Sequence, residues 1–183
     1  KYVGDLGAAI DQRICGAVGV SIPCDLASSA KQLERWQNRI YMARFMRTLR
    51  EKLREKAARF PGVLDLEDLD AVLTFAEFDG RYTGPIHGFE GADDYWRQSS
   101  CLPVLGEIKV PALLINAQDD PFLTLKCFPH EAVRANPCLN LETPKHGGHL
   151  GFVSFGDGGS YWSEQRVVAF LKNIMEGFAP SDS

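Results

Sequence analysis

The stretch Val110-Pro111-Ala112-Leu113-Leu114-Ile115-Asn116 runs, almost wholly apolar, into the polar loop Ala117-Gln118-Asp119-Asp120-Pro121-Phe122. A short apolar run of this kind predicts a strand over 110–116, buried on both faces of a parallel sheet. Open parallel sheets place ligands and catalytic groups just past the carboxyl ends of their strands, which is where Asp119 and Asp120 fall. A carboxylate there can orient a histidine. Asp-Pro is also an ordinary turn signal and Asp119 could simply start a helix, so position alone leaves both readings open.

Working outward, the next candidate strand is the alternating Leu139-Asn140-Leu141-Glu142-Thr143. It is followed by His146-Gly147-Gly148-His149-Leu150-Gly151-Phe152, a loop that precedes the last helix. His149 stands 29 residues after Asp120, and the glycines beside it let the backbone turn sharply and project an imidazole, as a general base requires. A zinc site would need a further convergent ligand, and there is no HExxH or Cys/His array. A helix over 162–178 closes the chain, with Val167, Phe170, Leu171, Ile174 and Phe178 on one apolar face.

Upstream, Ile14-Cys15-Gly16-Ala17-Val18-Gly19-Val20-Ser21-Ile22 reads as another strand buried on both faces. Between it and the 110–116 strand lies a long helical insertion. Leu33, Trp36, Ile40, Met42, Phe45, Leu49 and Leu53 recur at helical spacing until Pro61-Gly62, and 65–75 predicts a short acidic helix with Leu66, Leu69 and Leu73 on one stripe. The glycine-rich 79–89 reads as a loop and 93–98 as a helical turn. Strand, helical insertion, strand, loop, strand, loop, helix is an α/β order.

The 183 residues, 45% hydrophobic and 24% charged, describe an ordinary globular chain, and the net charge of -4 gives no footprint for nucleic acid. Five scattered cysteines without a CxxC pair indicate neither a disulfide framework nor a zinc site, which favours a reducing, cytoplasmic location. Cys24 reads as a small buried hydrophobe. Arg44, Arg47, Arg50, Lys52, Arg54, Lys56 and Arg59 give the insertion a basic face, read as solvated; in a lipid-active enzyme such a face would meet an anionic membrane. Gly156-Asp157-Gly158-Gly159-Ser160 lacks the following Gly-Lys-Ser/Thr of a phosphate cradle.

Acid after one strand, histidine after the next and a closing helix reproduce the Ser, Asp, His order of the α/β-hydrolase fold without its serine. The chain resembles the YheT-like α/β-hydrolases, relatives of the abhydrolase-domain esterases and the yeast medium-chain ethyl-ester synthase/esterases. The resemblance rests on Lys1-Tyr2-Val3-Gly4, Phe78-Asp79, Tyr82-Thr83-Gly84-Pro85-Ile86-His87-Gly88-Phe89, Tyr95-Trp96, Asp119-Asp120-Pro121-Phe122 and the 146–152 loop.

The resemblance implies Asp120 as triad acid and His149 as base, with Asp119 the alternative acid and His146 a neighbour that shapes the loop. It also implies a nucleophilic serine upstream of Lys1, since the Lys-Tyr-hydrophobic-Gly element follows a Gly-x-Ser-x-Gly-Gly elbow in such proteins. None of the serines present, at 21, 28, 29, 99, 100, 154, 160, 163, 181 and 183, has that frame. The implied organisation is core over 1–24, a helical cap over 25–106 and core again over 107–183. The implied function is hydrolysis of a carboxylic ester, either a short- or medium-chain acyl ester or a monoacylglycerol, with no cofactor and with an N-terminal segment of the same protein as partner. Acyl transfer to an alcohol uses the same acyl-enzyme, and a non-catalytic fragment that pairs with a separate N-terminal piece is the reading from another class.

Overall fold

The computed structural model describes residues 1–153 and 161–178; the glycine-rich 156–160 stretch, weighed above as a phosphate cradle, and the tail 179–183 lie outside them. In chain order the main elements are α1 (Tyr2–Leu6), β1 (Ala17–Val20), α2 (Leu26–Leu33), α3 (Arg39–Arg59), α4 (Phe75–Phe78), α5 (Ala92–Ser99), β2 (Ala112–Ile115), α6 (His130–Ala135), β3 (Leu139–Glu142) and α7 (Trp162–Phe178). They group into two units, one formed by Lys1–Asp25 with Ser100–Ser183 and the other by Leu26–Ser99.

The first unit is built on a parallel sheet of order β1-β2-β3. Central β2 is buried along its whole length, and its alternating side chains enter different cores. Ala112 and Leu114 join Cys24, Leu105, Ile108, Leu123, Cys127 and Leu139 on one face. Leu113 and Ile115 join Ala117 and Phe152 on the other, with Trp162, Val167 and Phe170 of α7 packed against them. Each Leu or Ile side chain among them removed from water contributes about 1.5–3 kcal/mol, so covering both faces of β2 fixes the sheet's position. Arg166 of α7 donates to Glu142 at the end of β3 (Nε to Oε2 2.9 Å), tying the last helix to the sheet.

Several expectations need correction here. The strands are shorter than the apolar runs, and β1 is only half-buried rather than covered on both faces. Leu171 is 41% exposed, off the packed face of α7. Residues 100–106 group with the sheet rather than with the insertion: the Leu102 N–H donates to the Cys24 carbonyl (3.0 Å), and Leu105 is buried in the sheet's core.

In the second unit, Met42, Met46 and Leu53 of α3 pack with Leu69, Val72, Phe78 and Tyr82. Trp36 and Ile40, counted by spacing among the helical apolar positions, are exposed: Trp36 lies in the break between α2 and α3, and Ile40, two residues before buried Met42, falls on the opposite side of α3. The acidic helix over 65–75 is replaced by a single 3-10 turn at Leu69–Ala71. Asp65 Oδ1 captures the Glu67 N–H (2.8 Å), and Asp68 adopts a left-handed conformation that no helix continues through. A capping box between Thr74 and Glu77 then starts α4. Residues 79–89 are not a plain loop but a π-helical turn at Asp79–Thr83 followed by a helical turn at Gly84–Ile86. The Trp96 indole N–H donates to the buried Asp79 carboxylate (2.8 Å), which joins two of the sequence motifs by a structural bond.

Candidate active site

The loop that leaves β2 folds back on itself: the Asp120 N–H donates to the Ala117 carbonyl (3.3 Å), and Asp120 Oδ1 accepts the Phe122 N–H (2.9 Å). This clamp fixes the carboxylate with its second oxygen, Oδ2, 2.8 Å from Nδ1 of His149. The Asp120 side chain is wholly buried, whereas the imidazole is 32% exposed. A buried carboxylate at Nδ1 selects the tautomer with its proton on that nitrogen and leaves the Nε2 lone pair free to accept another proton. The Phe122 ring, tilted 54° with its centroid 4.7 Å from that of the imidazole, flanks the base on one side.

The histidine loop is shaped by the neighbouring acid. Asp119 Oδ1 accepts the N–H groups of Gly147 (2.9 Å) and Gly148 (2.8 Å), while its other oxygen lies 3.5 Å from Nδ1 of the exposed His146. The Gly148 amide first, then that of Gly147 and the nearby His146, hold the Asp119 carboxyl below the usual aspartate range against the opposing effect of desolvation. A Cβ on Gly147 would come within 2.7 Å of the Phe152 ring and 2.8 Å of the Ala117 Cβ, and Gly148 takes a φ of 56°, so the two glycines have separate reasons to be there. Asp119 thus shapes the loop, Asp120 touches the imidazole, and His146 bears on Asp119 rather than on His149.

Two residues that the sequence did not single out complete the surroundings. Asn116, fully buried, accepts the Ile22 N–H (2.8 Å) and donates from Nδ2 to the carbonyls of Ile22 (3.1 Å) and Cys127 (2.7 Å). Ser21, at the end of β1, donates its hydroxyl to the backbone carbonyl of His149. The available signal was a polar residue closing each apolar strand, Ser21 before Ile22-Pro23 and Asn116 before the acidic loop. Cys24 sits in the core as expected, its thiol pushed up by a hydrogen bond to Cys101 and by burial. Among the described residues there is no His/Cys/Asp/Glu group that could hold a metal ion, and no helix is long and apolar enough to cross a membrane.

A parallel sheet with an acid after its central strand and a histidine after the next, joined at Nδ1, has the architecture of an α/β-hydrolase. Comparison with known proteins agrees. The chain is 34% identical over 173 residues to the Escherichia coli protein YheT, which is named as an esterase, covering 91% of this chain and 49% of YheT. It is 31% identical over 178 residues to an abhydrolase domain-containing protein of Dictyostelium discoideum, covering 96% and 44%. It is 29% identical over 164 residues to a monoacylglycerol lipase of Saccharomyces cerevisiae, covering 85% and 36%. The chain is thus related to the YheT-like α/β-hydrolases, and it spans about half or less of the length of these relatives. No family model and no solved structure matches it.

Proposed function

We propose that this chain supplies the acid and base of a serine-type carboxylic-ester hydrolase, Asp120 orienting His149 and His149 moving the protons. The observation that carries this reading is the 2.8 Å contact between the wholly buried Asp120 carboxylate and Nδ1 of a partly exposed imidazole. Nε2 takes the proton of a serine hydroxyl as the serine oxygen attacks the ester carbonyl, then returns it to the departing alcohol. Water repeats the sequence on the acyl-enzyme and releases the acid. No cofactor takes part in these steps. The serine and its oxyanion donors come from a polypeptide segment beyond these 183 residues, whose sequence contains no Gly-x-Ser-x-Gly elbow. That segment pairs as a further parallel strand beside half-buried β1.

The substrate class is a short- or medium-chain acyl ester or a monoacylglycerol. Relatives named monoacylglycerol lipase and phospholipase support ester cleavage in lipids as the family's chemistry. The test uses the whole protein that carries this chain, with p-nitrophenyl butyrate, a monoacylglycerol and a phosphatidylcholine as substrates. His149→Ala should abolish turnover of the ester that is cleaved, whereas His87→Ala and His130→Ala should leave most of it. Retained turnover in His149→Ala would reject the base. The isolated 183-residue chain should show no turnover above buffer; activity there that is lost with His149→Ala would place the nucleophile within this sequence.

A further inference from the structure

We infer that Ser21 is a positioning residue that fixes the backbone of the base through its hydroxyl, an inference that rests on His149 being that base. Ser21 is 5% exposed and has a φ of 55°, in the left-handed region that residues other than glycine enter rarely. A glycine would take this turn without steric cost. The hydroxyl is what a glycine would lack, and it donates to the carbonyl of His149, 128 residues away. Uncommon backbone geometry held by its surroundings is a mark of functional sites, and here the geometry has a specific beneficiary.

The support beneath Ser21 is unusually firm. Its N–H donates to the Ile115 carbonyl (2.8 Å), and both polar groups of the following Ile22 backbone are held by Asn116. Asn116 is itself immobilised by complete burial and by its bond to the Cys127 carbonyl. Besides the burial of Phe152 in the sheet's core, three polar contacts hold the part of the loop from Gly147 to His149. Asp119 takes the amides of Gly147 and Gly148, Asp120 takes the imidazole, and Ser21 takes the carbonyl of His149. The first two contacts come from one loop, after β2; the third comes from β1 and is the one that holds the backbone of the base itself.

The experiment compares Ser21→Ala and Ser21→Gly in the whole protein. Both remove the hydroxyl, but the glycine relieves the backbone and the alanine does not, so lost stability and lost positioning are separated. With 15N-labelled histidine, the Nδ1 proton of His149 is assigned by its disappearance in His149→Gln. In both Ser21 variants that proton should exchange about tenfold faster with solvent, as expected when one hydrogen bond closing a local opening is lost. Ser21→Gly should melt above Ser21→Ala, because only the glycine suits a φ of 55°, and kcat should fall in both variants with KM little changed. Unchanged exchange in both variants would overturn the inference, as would faster exchange only in the variant that has lost global stability. A protein that cleaves no ester yet shows faster exchange in both variants would overturn the hydrolase reading and leave Ser21 as the anchor of this loop.

Discussion

Asp120→Asn tests the proposed chemistry with the least disturbance of shape. In the parent, Oδ1 accepts the Phe122 N–H and Oδ2 faces Nδ1 of His149. An asparagine keeping its oxygen toward the Phe122 N–H must present its NH2 to Nδ1, which forces the imidazole proton onto Nε2 and leaves no lone pair for the serine. Rotating the amide restores an acceptor for Nδ1–H but sets its NH2 against the Phe122 N–H. A buried donor left unpaired in that way costs about 1–3 kcal/mol, so roughly a tenth of the molecules or fewer would adopt that orientation. The larger penalty is the wrong tautomer and the missing charge opposite the imidazolium, worth about 10^4-fold in kcat where such a triad has been altered in this way. The assay is steady-state hydrolysis of p-nitrophenyl butyrate by the whole protein, with melting temperature as the control for folding. The expected result is a fall of about 10^4-fold in kcat with KM little changed, because the substrate's ground state makes no bond to this group. A folded Asp120→Asn protein within tenfold of the parent kcat would refute the reasoning.

Two further outcomes follow from neighbouring groups. Asn116→Ala removes the acceptor of the Ile22 N–H and one donor from each of the Ile22 and Cys127 carbonyls, which keep the Cys24 N–H and thiol, and should lower unfolding stability by roughly 1–3 kcal/mol in a urea titration; a loss below about 0.5 kcal/mol would show that another group satisfies the Ile22 N–H. The depressed carboxyl of Asp119 stabilises the folded loop fully above the ordinary aspartate value of 3.8 and loses that contribution as pH falls through its lower folded value. Amide exchange at Gly147 and Gly148, corrected for intrinsic rates, should therefore show protection lost as pH falls below 3.8, and Asp119→Asn should flatten that dependence; an identical pH profile in the variant would refute the assignment.

The parts legible in the sequence were those whose information is local. An apolar run followed by an acidic loop announces β2, and the order of Asp120 and His149 names the candidate acid and base without coordinates. The choice between Asp119 and Asp120 is not local, because it depends on which carboxylate meets glycine amides and which meets the ring some 29 residues on. The same limit explains the failed helix over 65–75. Leucine spacing is indifferent to whether Asp65 spends its side chain on the Glu67 amide or Asp68 turns left-handed, yet those two events break the helix. Ser21 was passed over because only its lack of an elbow frame could be read, whereas its partner is a backbone carbonyl 128 residues away.

The register of the sheet, more than the loops, sets the geometry of the site. Val20 pairs with Ile115, and Ile115 with Glu142, so the three strands end at one level. The ladder continues one step past those ends, with the Ser21 N–H donating to the Ile115 carbonyl (2.8 Å) and the Asn116 N–H to the Glu142 carbonyl (3.0 Å). Ser21 and Asn116 are therefore the first residues freed from their strands, and the acid and histidine loops depart from a common edge. A slip of one residue between β2 and β3 would move one loop origin by about 3.3 Å and turn every side chain to the opposite face. Neither the Asp120–His149 contact nor the Ser21 anchor would survive that displacement. Burial of Leu113 and Ile115 on one face of β2 and of Ala112 and Leu114 on the other opposes the slip, so the packing of the sheet is what holds the acid within hydrogen-bond reach of the base.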